Sequence, residues 1–194
     1  MIRARKQCSG FIIGLCLLSL SMILSAQSEP EYRDHILSDG VLTNEELAHV
    51  VRRAQDDLKL ITEKAVNAAG SVMERELVFG PQAWMLMKNG DIKPLRLGEE
   101  GKGAPADMKV LMYRAGLRSL ARHGQIDAAV VIYPGTIDKQ GEKQRIAAVE
   151  HEHRLGVSGL KLIPVDLEGG KAVFRSVISQ DKSFQIFYDD RKSK

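Results

Sequence analysis

Residues 126–188 decide the fold, because they contain five short runs rich in β-branched and aromatic side chains. The runs are IDAAVVIY at 126–133, QRIAAVEHEHRL at 144–155, LKLIPVDL at 160–167, KAVFRSVI at 171–178 and SFQIFY at 183–188. Each of the first four is followed by turn-forming residues, which read PGT, GVSG, EGG and SQDK. Apolar runs separated by such turns predict an antiparallel meander that supplies the core.

The second run, residues 144–155, is compatible with either a strand or a helix. Its Glu, Gln, Arg, Ala and Leu residues also suit a helix that ends at Gly156. We interpret it as a strand, because apolar runs bounded by turns lie on both sides of it.

Two amphipathic helices are predicted before the meander. Thr43 and Glu46 have the spacing of a capping box, in which each side chain bonds the backbone N–H of the other residue. Apolar residues then recur every three or four positions, which predicts a helix over residues 44–69. A second helix is predicted over residues 107–123, where the first residue is a suitable N-cap and Gly124 a suitable terminator.

The charged residues of both helices are interpreted as structural rather than functional. Mixed charges such as Arg53, Asp57 and Glu63 on the first helix are typical of a face turned to solvent. Basic residues such as Arg114 and Arg118 lie toward the C-terminus of the second helix, where they complement its dipole.

A β-hairpin is predicted between the two helices. The pair Asn89-Gly90 separates the apolar runs 84–87 and 92–95, and both residues tolerate the positive φ of a type I′ turn. Pro94 has no N–H to donate, so the second strand of the hairpin is expected at an edge of the sheet.

The element order predicts an α+β domain at residues 43–188. The hairpin and the C-terminal meander would form one twisted antiparallel sheet, and the two helices would pack on one face of it. This order is similar to that of profilin-like and roadblock-like domains, and the resemblance implies a binding module. Residues 29–42 are expected to be a flexible lead-in and residues 189–194 a charged tail.

Residues 1–28 have the features of a secretory signal peptide. Its basic residues are Arg3, Arg5 and Lys6. An uncharged apolar stretch follows at 11–24, and cleavage is expected after Ala26 or Ser28. We therefore predict export, to the periplasm of a bacterial cell or its surroundings, without stable membrane insertion after cleavage. A retained anchor is the alternative, although the apolar stretch is short for one.

Loss of the signal peptide changes the charge and the cysteine content. It removes three of the 28 basic residues and none of the 25 acidic ones, so the net charge falls to zero. Such a chain is not expected to bind nucleic acid. Both cysteines, Cys8 and Cys16, are also removed, which excludes a disulfide, a thiolate nucleophile and a cysteine metal ligand.

His151 and His153 form the one pattern in the chain that suggests chemistry. On a strand both imidazoles point to the same face, and Glu150 and Glu152 point to the other. Two such imidazoles can chelate a zinc ion, although a site needs at least one further protein ligand. The candidates are His35, His49, His123 or a neighbouring carboxylate.

The sequence gives little support to other catalytic motifs. Carboxylates for a glycosidase pair are plentiful, but nothing distinguishes one of them. The Gly-rich segment GEEGKGAPA at 98–106 lacks the Gly-Lys-Ser/Thr ending of a phosphate loop. GVSGL at 156–160 lacks the last glycine of a nucleophile elbow, and HEHRL at 151–155 lacks the second histidine of a zincin motif. No G-x-G-x-x-G follows a strand, which argues against a dinucleotide cofactor.

Three hypotheses remain from the sequence. The first is an exported, non-catalytic binding module that holds a partner protein or a small ligand at the sheet face or an edge strand. The alternative is a metal-dependent enzyme or metal-binding protein that uses His151 and His153. The third is a subunit that self-associates through its edge strands to form a homo-oligomer.

Overall fold

A computed structural model describes residues 43–139 and 141–188, and in this part of the chain it confirms the α+β class. The predicted signal peptide, lead-in and charged tail lie outside these residues. The elements are α1 (Asn44–Glu76), β1 (Gln82–Met87), β2 (Ile92–Leu95), α2 (Glu99–Lys102), α3 (Ala106–Arg122), β3 (Ile126–Lys139), β4 (Glu142–His153), β5 (Val157–Glu168), β6 (Lys171–Phe174) and β7 (Ile178–Gln180). No helix among the described residues has an apolar stretch long enough to span a bilayer.

The strands form a curled antiparallel sheet in the order β2-β1-β3-β4-β5-β6. β6 and β7 pair with successive parts of the same strand, since β6 lies beside residues 165–168 of β5 and β7 beside residues 160–162. β2 and the pair β6 and β7 therefore form the two edges of the sheet.

The capping box at the start of α1 is confirmed. The Thr43 hydroxyl accepts a hydrogen bond from the N–H of Glu46, whose carboxylate accepts one from the N–H of Thr43. The helix does not end near Ala69 but continues through Gly70 to Glu76. Gly70 allows close packing there, because a Cβ atom would lie 3.0 Å from the ring of Phe174.

The prediction that both helices pack on one face of the sheet is wrong. α1 packs on Ala128, Val130 and Ile132 of β3, whereas α3 packs on Ala129 and Val131. Successive strand residues point to opposite faces, so the two helices lie on opposite sides of β3. The cause is visible in the sequence, because the central part of β3 is apolar at every position instead of every second one.

The predicted hairpin is confirmed, and Pro94 lies on the edge strand β2 as expected. Its turn differs from the type I′ prediction, which requires a positive φ at both Asn89 and Gly90. Only Gly90 has one, of 85°. The Asn89 side chain instead accepts a hydrogen bond from the N–H of Asp91, which stabilises a wider turn.

The meander is confirmed, and residues 144–155 belong to a strand and its following turn rather than to a helix. Several of its local predictions are wrong. KAVFRSVI is not one strand, since β6 ends at Phe174 and β7 begins at Ile178, and the first two residues of SQDK belong to β7. PGT at 134–136 continues β3, and residues 157–159 of GVSG begin β5. Residues 183–188 do not form a strand: they cross the α3 side of the sheet as an irregular segment, where Ile186 is buried in the same cluster as α3.

Candidate functional site

The second half of β4 carries four consecutive ionisable side chains, and each is at most 8% exposed. As predicted for a strand, the members alternate between faces. His151 and His153 lie on the α1 side, while Glu150 and Glu152 lie on the α3 side. Buried charges need partners, so the contacts of these side chains define what the region can do.

His153 is held by hydrogen bonds to both ring nitrogens. Its Nδ1 accepts a hydrogen bond from the backbone N–H of Leu155 at 3.0 Å, and its Nε2 lies 3.2 Å from the Asp57 carboxylate. Since Nδ1 is an acceptor, the proton of the neutral ring is on Nε2 and is donated to Asp57. Burial lowers the pKa of His153, while Asp57 opposes this shift.

His151 packs against Gly159 on β5. A Cβ atom on residue 159 would lie only 2.8 Å from Nε2 of His151, so the glycine makes room for the ring. Nδ1 is buried and has no hydrogen-bond partner among the described residues. Burial, and then the charge of Lys161, lowers the pKa of His151 to about 4, so the ring is neutral at physiological pH.

Among the described residues, the predicted zinc site gains no third ligand. His49 is exposed on α1, and His123 bonds the Ser119 carbonyl at the C-terminus of α3; His35 lies outside the described residues. In residues 43–139 and 141–188 no group of three or more His, Cys, Asp or Glu residues is placed to hold a metal ion. The use of His151 and His153 as metal ligands therefore stays a prediction.

Glu150 connects β4 to α3 and to β3. Its carboxylate accepts hydrogen bonds from Nε of Arg114, at 3.0 Å, and from Nη2 of the same guanidinium. The Tyr133 hydroxyl donates to it at 2.8 Å. This pairing raises the pKa of Arg114, and burial, followed by the Glu150 carboxylate, raises the pKa of Tyr133 to about 12.

Glu152 anchors the segment that follows β7. Its carboxylate accepts hydrogen bonds from the backbone N–H groups of Gln185 and Ile186, both at 2.8 Å, and Phe187, at 3.2 Å. It also accepts one from the Lys182 ammonium at 2.8 Å. The same ammonium lies 3.8 Å from Glu150, so it links the two buried carboxylates.

A groove of about 400 Å³ lies on the surface next to this buried network. Its eight lining residues are Pro81, Ala106, Asp107, Val110, Leu111, Arg114, Tyr133 and Pro134. One side is the N-terminal half of α3 and the other is β3, so the groove crosses the junction between helix and sheet. Its polar lining residues are Asp107 and the two partners of Glu150, Arg114 and Tyr133, and the rest of the lining is aliphatic.

Sequence reasoning missed most of these residues. Arg114 was assigned to the helix dipole and Asp57 to a solvated face, while Glu150 was placed only on the strand face opposite the histidines. One signal was available: the acids and histidines of EHEH stand in a strand between two apolar runs, where both faces can be buried.

The protein is an α+β domain with a curled antiparallel sheet, a buried ionic network and an apolar groove beside it. No protein-family profile matches the chain, and neither a curated protein nor a solved structure is significantly similar to it.

Proposed function

We propose that the protein is an exported, non-catalytic binding module that holds a small apolar ligand in the groove between α3 and β3. The groove supports this proposal, because small-molecule sites are concave, mostly apolar and equipped with a few polar groups at fixed positions. Its volume, about 400 Å³, lies within the range usual for such sites.

The covering of the sheet favours the groove over the surfaces expected from the sequence. α1 and α3 pack on opposite faces of β3, so the centre of the sheet offers no open apolar face. α3 leaves apolar surface accessible in the groove, where Leu111 on its wall is 54% exposed.

The state of the ionisable side chains supports a binding role rather than catalysis. A general acid or base must be within reach of the substrate and free to exchange a proton. Glu150 accepts three hydrogen bonds, Glu152 accepts four, and both nitrogens of His153 are engaged. These groups are arranged to hold the fold and to orient Arg114 and Tyr133.

Binding is tested with N-phenyl-1-naphthylamine, an uncharged apolar dye whose fluorescence rises in a dry environment. We expect the purified protein to bind it saturably, and Leu111→Arg to weaken binding about ten-fold or more, because a charge would enter the groove. Leu60→Arg is the matched control, since Leu60 is 56% exposed on the outer surface of α1. This control should bind the dye as the unaltered protein does.

Absence of saturable binding, or equal loss in both variants, would contradict the proposal. In that case a protein partner at an edge strand becomes the better hypothesis.

Export is tested separately by expressing the full chain in a bacterium. An intact mass of the periplasmic protein that lacks 26 or 28 N-terminal residues would support the signal peptide, and an unprocessed protein would contradict it.

A further inference from the structure

A second pocket, of about 460 Å³, lies where the β1–β2 hairpin meets α2 and α3. The paired part of the hairpin ends at Ala83 and Leu95, and residues 81–84 and 94–97 border the pocket. α3 contributes Lys109 and Tyr113, which are four residues apart and therefore share one face of the helix. The pocket shares Pro81 with the groove between α3 and β3, but its other lining residues differ.

Two glycines bring the walls of this pocket together. A Cβ atom on Gly101 of α2 would lie 2.6 Å from Cβ of Leu97, so the glycine lets the short helix rest on that side chain. A Cβ atom on Gly116 of α3 would lie 3.0 Å from the side chain of Leu95. Both helices can therefore approach the hairpin closely, and packed elements hold the pocket open between them.

The charge of the pocket wall is positive. Among the described residues that line it, the charged ones are Arg96, Lys102 and Lys109, all of them basic. Lys102 is paired with Glu99 at 2.5 Å. Within the part of the chain that the structure describes, neither exposed Arg96 nor half-buried Lys109 forms an ion pair. Two cations thus border the pocket without a neutralising carboxylate, which favours an anion and repels a cation.

Tyr113 adds a hydrogen-bond donor to the same wall. The residue is only 9% exposed, yet its hydroxyl bonds no other described residue. Burial raises the pKa of Tyr113, so the hydroxyl keeps its proton and can donate it. Hydrogen bonds to an ionised acceptor are stronger than those between neutral groups, so a carboxylate is a suitable partner for this donor.

The rest of the lining is mainly apolar. It includes Pro81, Ala83, Trp84, Pro94, Leu95 and Leu97. The volume of about 460 Å³ is within the range usual for small-molecule sites. We propose that this pocket binds a small organic anion, an apolar body with one carboxylate, whose head group meets Arg96, Lys109 and the Tyr113 hydroxyl. The site is additional to the groove and does not depend on it.

Methyl NMR titrations with octanoate and octan-1-ol test the proposal. The two compounds have chains of the same length and differ in the charge of the head group. At pH 7.5 and low salt we expect octanoate to shift the methyl groups of Leu95 and Leu97 saturably, with about ten-fold higher affinity than octan-1-ol. Added salt should weaken octanoate more than octan-1-ol. Equal affinities, or octanoate shifts confined to Val110 and Leu111 of the groove, would overturn the proposal.

Variants of the two unpaired cations locate the anion. Arg96→Gln and Lys109→Gln should each weaken octanoate several-fold, and the double variant about ten-fold or more, while octan-1-ol binds as before. Lys59→Gln is the matched control, because it removes the same charge from an exposed position on α1. This control should bind octanoate as the unaltered protein does. Equal losses in all three single variants would show that net charge, and not this pocket, attracts the anion.

Tyr113→Phe tests the donor separately, since it keeps the ring and removes only the hydroxyl. We expect octanoate to bind several-fold more weakly and octan-1-ol as before, and an unchanged affinity for octanoate would overturn the role given to Tyr113. The two proposals fail separately. Dye binding that Leu111→Arg weakens and Lys109→Gln leaves unchanged would support the groove even if octanoate does not bind.

Discussion

The carboxylate of Glu152 accepts a 2.8 Å hydrogen bond from the backbone N–H of Ile186, and both residues are almost completely buried. A side chain on β4 thus satisfies the backbone of a segment that has no strand partner. Because buried N–H groups must find acceptors, the irregular path of residues 185–187 depends on this one carboxylate. It fixes the segment over the α3 side of the sheet.

Replacement of Glu152 by alanine should destabilise the protein by about 3 kcal/mol, because it leaves three N–H groups without their acceptor and removes the nearer carboxylate of Lys182. Urea unfolding measures the total loss. Hydrogen exchange of the Gln185, Ile186 and Phe187 amides should accelerate more than exchange in β3. Glu168→Ala is the control: this carboxylate is 56% exposed beside Arg175, so little change is expected. Similar losses in the two variants would contradict the account.

Protonation of His151 should make the protein sensitive to mild acid. Burial lowers the pKa of the folded-state ring to about 4 from an ordinary value of 6.5. Between these values the unfolded chain binds more protons, so stability is present above pH 6.5 and is lost as the pH falls toward 4. The shift corresponds to about 3 kcal/mol.

Urea unfolding at several pH values tests this dependence. Between pH 6.5 and 4 the unaltered protein should lose more free energy of unfolding than His151→Gln. The difference between the two losses should be about 3 kcal/mol. The matched control is His123→Gln at the exposed end of α3, which should keep the unaltered slope. An equally steep loss of stability in His151→Gln would show that other groups cause the acid sensitivity.

Gly159 and His151 should behave as a coupled pair. Gly159→Ala would place a methyl group 2.8 Å from Nε2 of His151, so we expect a loss of about 1–3 kcal/mol. In a His151→Ala background the same change should cost much less, since the ring is gone. Gly80→Ala, with no atom within 4 Å of its added methyl group, is the matched control. Additive effects at residues 151 and 159 would rule out the contact.

Local signals in the sequence predicted much of the fold. The Thr43–Glu46 capping box, the Asn89-Gly90 hairpin and the apolar runs of the meander each depend on neighbouring residues, and all three were found. Placement of the helices depends on which strand faces are covered. The prediction assumed that each strand has one buried and one exposed face, and this was wrong for β3. β3 is apolar at successive positions because both of its faces are buried, which the prediction of two helices on one face did not use.

The candidate site was harder to predict, because its residues are far apart in the sequence and come into contact only in the folded chain. Arg114 and Glu150 are 36 residues apart, and Asp57 and His153 are 96 apart. Nothing in the local pattern of Arg114 distinguishes it from a helix residue facing solvent. The segment at 183–188 has strand-like composition, but its N–H groups bond a side chain instead of a neighbouring strand.

The central claim is that the groove between α3 and β3 binds an apolar ligand, and methyl NMR during a titration with octan-1-ol tests it most directly. The account predicts saturable shift changes at the methyl groups of Val110 and Leu111, with those of Leu60 and of Ile178 on β7 unchanged. Changes centred on Ile178 or Leu60, or none that saturate, would contradict it.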